Sequence, residues 1–171
     1  RWSPRSFLEK ALSEDQIFAL LEAARWAPSC FNEQPWKFIV AKSTKQKQKV
    51  VALLAEKNQL WASKAPILIA IYARKNFSST GKPNRWAEFD CGSAMMSLML
   101  QANNMGLISH AMGGFDQERA LLWADLKASE FHPMCILAVG YQGRAEDLHE
   151  DFKPGEAPNQ RKNLQEFSSV L

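Results

Sequence analysis

The sequence predicts a sandwich of helices on one central β-sheet, of the α/β or α+β class. Helical and strand-like segments alternate along its 171 residues, and 46% of these residues are hydrophobic, which is enough for one substantial core. The apolar run over residues 67–72 has the continuity of a strand that is covered on both faces. The chain length predicts a single domain over residues 1–171.

Capping signals and hydrophobic periodicity predict the first elements. Ser13 and Gln16 have the spacing of a capping box, and an apolar helical face continues from them towards Pro28. These features predict a helix over residues 14–26. The aromatic and β-branched run over residues 36–41 predicts a strand.

The middle of the chain predicts a helix, a buried strand and a long loop. A second helix is expected after Thr44, and its buried side comprises Val50, Val51, Leu53 and Leu54. Pro66 precedes the buried strand, and residues 74–84 lack any periodicity, which is typical of a functional loop.

The second half begins with the longest predicted helix, residues 86–105, with Gly106 as its terminator. Asp116 is a helix cap for a short helix that ends near Trp123. Residues 134–139 predict a further strand that ends at Gly140. From about residue 143 to 171 the chain is polar, which predicts an extended arm with one terminal helix that packs on a partner subunit.

Charge and composition make several function classes improbable. The 21 basic and 18 acidic residues leave a net charge of +3, and six lysines between Lys42 and Lys64 form the best case for nucleic-acid binding. No aromatic residues suited to base stacking alternate with those lysines, so we interpret them as a solvated helix face. No apolar run approaches the roughly 20 residues of a membrane span. We therefore expect neither a nucleic-acid nor a membrane partner.

The three cysteines argue against a disulfide framework and a metal site. Cys30, Cys91 and Cys135 are odd in number, lie far apart and form no CxxC pair. A reducing compartment, and hence a cytoplasmic location, is the expectation. Cys91 lies in a helix rich in Ala and Met, which favours a core cysteine over a reactive one.

Three separated segments concentrate groups that bind anions or expose the backbone. Residues 1–5 (RWSPR) place two guanidiniums around a hydroxyl, which suits a phosphate. Residues 27–36 form a loop between two prolines, with amide and hydroxyl side chains suited to the edge of a heterocycle. Residues 112–116 (MGGFD) leave peptide N–H groups open beside a capped helix start. Taken singly, each segment is also compatible with a solvated terminus or a plain turn.

In their order along the chain, these segments resemble the FMN-dependent nitroreductase family. RxSxR at the start is followed by PSxxNxQPW over residues 28–36, by DxGxAxxxLxLxA over 90–102, by GGFD at 113–116 and by LAVGY at 137–141. The resemblance covers nearly the whole chain. It implies an α+β fold, an α/β/α sandwich with a mostly antiparallel sheet and a long central helix, assembled as an intertwined homodimer.

The resemblance also implies a set of cofactor contacts and no catalytic side chain. The phosphate and ribityl chain of FMN would contact Arg1, Trp2, Ser3 and Arg5, with Arg161 as a second phosphate contact. The facing subunit would contribute Pro28, Ser29, Cys30, Asn32 and Gln34. The isoalloxazine would lie beside Met112, Gly113 and Gly114, with one glycine N–H directed at the flavin N5.

The reaction that the resemblance implies is hydride transfer from NAD(P)H through FMN to an oxidised acceptor such as a nitroaromatic or a quinone, in ping-pong order. A second hypothesis stays open: a flavin-binding or flavin-handling relative with little reductase turnover. The short chain and the unusual Cys30-Phe31 pair favour this alternative. We interpret His110, next to the glycine turn, as a structural histidine in preference to a proton donor for a reduced acceptor.

Overall fold

The computed structural model describes residues 1–170, in which a five-stranded sheet lies between two helical layers. The strands are β1 (Phe7–Leu8), β2 (Trp36–Ala41), β3 (Ile67–Arg74), β4 (Ile108–Met112) and β5 (Phe131–Gln142). The helices are α1 (Glu14–Arg25), α2 (Thr44–Val51), α3 (Glu56–Ala62), α4 (Ala87–Asn104) and α5 (Gln117–Trp123).

Every strand pairing in the sheet is antiparallel. β3 and β5 form the centre, β2 pairs with β3, and β4 pairs with β5. β1 pairs only with the last two residues of β5, where Phe7 is opposite Gln142. β2 and β4 therefore lie on opposite sides of the central pair, and the segments attached to them are separated by two strands.

Alternation along β3 divides the core into two layers. Ile67, Ile69 and Ile71 pack with α1 and α4 on one face, whereas Leu68 and Tyr72 pack with α2, α3 and α5 on the other. Because successive strand residues point to opposite faces, a strand between two helical layers must be apolar throughout. This is the α/β/α sandwich that the family resemblance implies.

Three of the predicted terminus signals are confirmed. Ser13 and Gln16 form both hydrogen bonds of the capping box at the start of α1. Gly106 follows α4 with φ of 70°, a left-handed conformation that glycine adopts without a steric penalty. The side chain of Asp116 accepts the backbone N–H of Arg119 and caps α5.

Several elements differ from the sequence-based expectations. β1, α3 and β4 were not predicted, because two-, seven- and five-residue elements are too short to show a clear period. α2 ends at Val51, so the buried Leu53 and Leu54 belong to the following turn. β5 spans twelve residues and continues through Gly140, which therefore does not end the strand.

The C-terminal arm contains short 3-10 turns and no α-helix up to residue 170. The predicted terminal helix is wrong: a single turn, Leu164–Glu166, is formed in its place. Residue 171 of the predicted arm lies outside the described residues. Leu148 is buried in the core, so the arm packs on its own chain at least at its start.

Gly140 provides a test of how closely β5 packs on Pro66, the residue before β3. A Cβ at this position would lie 2.3 Å from Cδ and 2.6 Å from Cγ of Pro66. We expect Gly140→Ala to lower the free energy of unfolding by about 1–3 kcal/mol, because the proline ring is held in place and must shift. Urea denaturation measures this change. Gly113→Ala is the control, since its Cβ meets no atom within 4 Å, and a change within about 0.5 kcal/mol is expected there. Equal stability of both variants would contradict the close packing.

Candidate functional site

A cavity of about 370 Å³ lies where the N-terminal segment, β4 and the C-terminal arm meet. The N-terminal segment and β4 contribute Trp2, Ser3, Arg5 and His110, and the arm contributes Gly155, Ala157, Asn159 and Arg161. The structure thus brings together four of the five residues predicted for the phosphate end of a cofactor. The fifth, Arg1, is exposed and does not line the cavity; its guanidinium donates to the Trp2 carbonyl and the Ser3 hydroxyl.

The carboxylate of Glu156 holds the arm against the N-terminal segment. It accepts the backbone N–H of Arg5 at 2.9 and 3.0 Å and that of Ser6 at 2.8 Å. The Ser6 hydroxyl donates to the carbonyl of Arg144 at the start of the arm, 2.6 Å away. Charge-assisted bonds to backbone N–H groups are among the stronger hydrogen bonds in proteins. They bring residues from both ends of the chain into one cavity.

The cavity carries positive charge without a neutralising partner. In residues 1–170 neither Arg5 nor Arg161 forms a salt bridge. Arg161 donates to two neighbouring backbone carbonyls, and the Arg5 guanidinium lies over the Phe152 ring with 5.6 Å to its centroid. A planar guanidinium retains further donors after such contacts. The arrangement suits an anion such as a phosphate.

His110 forms part of this cavity from β4. Its Nδ1 lies 3.1 Å from the carbonyl oxygen of Pro4, and its ring centroid lies 4.7 Å from that of Trp61 on α3. Burial, opposed by the backbone contact to Pro4 and reinforced by the Arg5 charge, lowers the pKa of His110. The imidazole is therefore neutral at neutral pH while the cavity holds no anion.

The glycine pair follows β4 directly and faces solvent. The N–H groups of Gly113 and Gly114 have no backbone acceptor among residues 1–170. The carbonyl of Gly114 is held instead, by the N–H of Ala55 at 2.9 Å and the side-chain amide of Asn58 at 3.3 Å. Since a strand advances about 3.3 Å per residue, Gly113 lies about 10 Å from His110 along the same strand. The turn therefore offers two open donors near the cavity.

The loop over residues 28–34 lies elsewhere. Its Cys30 N–H donates to the buried carboxylate of Asp90 in the first turn of α4, at 2.9 Å. Its polar groups bond largely to one another: Gln34 N–H donates to the Ser29 hydroxyl, and the Gln34 amide donates to the carbonyl and side-chain oxygens of Asn32. Within one chain the backbone N–H groups of Cys30 and Gln34 and the side-chain amide of Gln34 are therefore already used.

The loop is also strained. Phe31, Asn32 and Gln34 all have φ between 51° and 56°, the left-handed region that favours glycine. Phe31 is nevertheless 91% exposed, and its ring makes an edge contact with Phe77. Residues in such strained conformations cluster at functional sites, where the surrounding structure holds them in place.

Sheet order separates the loop from the glycine turn. The loop leads into β2 and packs on α4, whereas the glycine turn leaves β4 and packs on α3. With strands about 4.8 Å apart, two intervening strands place these segments roughly 14 Å apart across the sheet, and α3 and α4 cover opposite faces. Pro28, Ser29, Cys30, Asn32 and Gln34 therefore do not join the cavity of their own chain.

The buried ionisable groups are not equipped for nucleophilic chemistry. Burial raises the pKa of both Cys91 and Cys135 to about 12, so both are thiols at neutral pH. In residues 1–170 no group of three or more His, Cys, Asp or Glu residues is arranged to hold a metal ion. None of the helices described is long and apolar enough to cross a membrane.

Comparison with known proteins places this chain in a family of flavin enzymes. The model of the Nitroreductase family matches residues 1–59 and 47–141. A crystal structure described as an oxidoreductase containing FMN has 33% sequence identity and a TM-score of 0.93, with 99% of this chain and 87% of that chain covered.

Two relatives with known sequences also have names of the flavin oxidoreductase or nitroreductase type. The major NAD(P)H-flavin oxidoreductase of Aliivibrio fischeri is 26% identical over 204 residues, with 95% of this chain and 90% of the relative covered. A protein of Archaeoglobus fulgidus with the provisional name NADH dehydrogenase/NAD(P)H nitroreductase is 28% identical over 156 residues, covering 88% and 86%. The chain belongs to the Nitroreductase family.

Sequence reasoning missed the contribution of the arm other than Arg161. Gly155, Ala157 and Asn159 line the cavity because the arm packs on the N-terminal segment, where Glu156 binds Ser6, and no motif marks that contact. His110, which the sequence analysis interprets as a structural histidine, also lines the cavity, and its position in β4 offers a signal for this. Alternation along β4 places it on the same face as Ile108 and Met112, where a polar residue is unexpected.

Proposed function

We propose that this protein transfers hydride from NAD(P)H through bound FMN to an oxidised acceptor such as a nitroaromatic or a quinone, in ping-pong order. The chain is an oxidoreductase of the Nitroreductase family, a flavoprotein that uses FMN and NAD(P)H. The observation that carries the finer proposal is the cavity with two unpaired guanidiniums, since β4 contributes His110 to that cavity and leads directly into two open glycine N–H groups.

The residues present fit FMN. Arg5 and Arg161 supply charge, and Ser3 a hydroxyl, for the phosphate, while Trp2 lies at the same cavity. Gly113 and Gly114 supply N–H donors and no side chain that would obstruct a flat ring. When bound, FMN accepts a hydride at N5 and passes it to an acceptor.

The contribution of this chain is binding and orientation. The glycine turn is fixed by Ala55 and Asn58, so its donors keep one direction without reorganisation. The phosphate cavity fixes the other end of the cofactor. β4 separates the phosphate cavity from the glycine turn by about 10 Å, the distance from His110 to Gly113. No side chain here needs to act as nucleophile or general base.

We further propose a homodimer of single-domain chains, in which residues 28–34 of one chain complete the site of the other. Along α4 an exposed apolar stripe comprises Phe89, Met96 and Leu100, which lie at one angular position of the helix. Such a stripe on a helix that already packs on α1 and the sheet is typical of a subunit interface. A cytoplasmic location, consistent with three free cysteines, stays a prediction.

The phosphate end of the site is tested by Arg5→Ala. Loss of one charge-assisted bond is expected to cost about 1.5–3 kcal/mol, which raises the Kd of FMN by about 10- to 100-fold. Flavin fluorescence quenching measures the affinity. Riboflavin, which has no phosphate, should bind both proteins equally, and Arg144→Ala, outside the cavity, should leave the FMN affinity unchanged. An unaltered FMN affinity in Arg5→Ala would remove Arg5 from the site.

Turnover is tested by stopped-flow mixing of the flavin-loaded protein with NADH and with NADPH. We expect the flavin absorbance to bleach with at least one donor and to return on addition of a quinone or a nitroaromatic. Initial rates over both substrates should give parallel double-reciprocal lines, the kinetic pattern of ping-pong exchange. A bound flavin that neither donor bleaches would support the alternative of a flavin-handling relative, and failure to take up FMN would defeat both.

The interface is tested by Leu100→Glu. Leu100 is 51% exposed in the single chain, so a charge there should not unfold the protein but should convert a dimer to monomers. Sedimentation velocity gives the mass. Leu122→Glu is the matched control, since Leu122 is 78% exposed on α5, on the opposite face of the sheet. Dimers of equal stability in both variants would place the interface elsewhere.

A further inference from the structure

We propose that His110 binds the phosphate of FMN as a protonated imidazolium, so that the protein takes up one proton when it binds FMN. This inference rests on the proposed use of the cavity as the phosphate site. It adds a third positive group to the two guanidiniums, and it makes cofactor retention dependent on pH.

The position of His110 in β4 is the first observation. Ile108 and Met112 flank it on the same face of the strand, and both pack in the core below α3. A leucine or valine between them would serve packing alone. The sequence instead has an ionisable ring at the point where the strand passes the cavity.

The hydrogen bond to Pro4 fixes which ring nitrogen carries the proton. A carbonyl oxygen can only accept, so Nδ1, 3.1 Å from it, must be the N–H of the neutral ring. Nε2 of the neutral ring is then a lone-pair acceptor, which a phosphate oxygen repels. Protonation at Nε2 converts it to a donor while the bond to Pro4 is kept. An anion in the cavity therefore favours the doubly protonated ring.

The surroundings decide the charge of the ring in each state. Three charged groups share its environment: Arg5 and Arg161 at the cavity, and Glu156, whose oxygens are occupied by backbone N–H groups. Without an anion, burial and the Arg5 charge outweigh the carbonyls of Pro4 and Ser3 and the Glu156 charge, and they hold the pKa of His110 below its ordinary value. A phosphate dianion offsets both guanidiniums and adds attraction of its own.

Trp61 supports the charged ring from the other side. Its indole is buried in α3 with its centroid 4.7 Å from that of His110 and the two planes tilted by 47°. The electron-rich face of an aromatic ring attracts a cation within about 6 Å. The imidazolium would therefore be close both to an anion and to a π system.

The linkage has a definite sign. At pH 7.5 a free phosphate monoester is mostly a dianion, and His110 is neutral while the cavity is empty. A complex in which His110 is protonated therefore takes up close to one proton on binding. The affinity for FMN should fall as the pH rises, with the Kd increasing by up to about tenfold per pH unit while the complex keeps its proton. Riboflavin, without a phosphate, should show no such dependence.

Isothermal titration of the wild-type protein with FMN and with riboflavin, in two buffers of different ionisation enthalpy at pH 7.5, counts the protons. We expect close to one proton taken up for FMN and none for riboflavin. This comparison needs no variant. FMN binding without any proton uptake would overturn the role of His110 and leave the proposed function intact, whereas no FMN binding at all would overturn both.

Two substitutions separate the two ring nitrogens. His110→Asn places an amide near the Nδ1 position, so it can keep the bond to Pro4 and lacks Nε2; we expect a tenfold or greater rise in the FMN Kd at pH 7 and no proton uptake. His110→Gln offers an uncharged donor near the Nε2 position, and should restore part of the affinity without the pH dependence. His132→Asn, at a histidine beside Glu88 and outside the cavity, is the control and should behave as wild type. If His110→Asn takes up the same proton as wild type, the proposal is wrong.

Discussion

The site depends on one carboxylate that joins the two ends of the chain. Glu156 accepts the N–H groups of Arg5 and Ser6, and Ser6 is buried with its hydroxyl bonded to the arm. Together with the Ser6–Arg144 bond and the packing of Phe152 on the core, this contact brings the arm next to the N-terminal segment. The Glu156 carboxylate binds backbone N–H groups and forms no salt bridge with Arg5 or Arg161. The charge that an anion would meet is therefore preserved by the same contact that assembles the cavity.

A second constraint is the position of β4 at one side of the β3–β5 pair. β4 pairs with β5 and its following residues leave the sheet, where Ala55 and Asn58 hold the Gly114 carbonyl and the glycine pair is exposed with its N–H groups unused. The loop before β2 is attached to the other side of the sheet and to the other helical layer. The two segments that we propose to form one site therefore cannot meet within a single chain. The apolar stripe of α4 gives a physical reason for a second copy to bring them together.

Much of the fold was predictable from local signals. The capping box of Ser13, the terminating Gly106 and the cap at Asp116 each act within a few residues, so the pattern alone located α1, α4 and α5. β4 and α3 were missed because their residues are specified by partners distant in sequence: β4 by its pairing with β5, and α3 by the packing of Trp61 on Phe7 and His110. The predicted phosphate residues came from a family resemblance and not from periodicity. Arg1 lies outside the cavity, whereas residues of the arm line it. The position of the arm depends on long-range contacts such as that of Glu156, which no local pattern predicts.

The buried tyrosine and cysteines of the core, Tyr72, Cys91 and Cys135, are neutral at neutral pH. Burial raises the pKa of Tyr72 to about 12, and its hydroxyl is used to hold the carbonyl of Ala120 at 2.8 Å. Cys91 and Cys135 are likewise fixed as neutral thiols. These groups stabilise the layers and offer no acid or nucleophile to a substrate. In a flavoprotein of this family the chemistry comes from the bound FMN, and the protein influences it through the donors and charges placed around that group. Among these, His110 is the one whose charge can change near neutral pH, which is why the binding of an anion and the binding of a proton are expected to be coupled at this position.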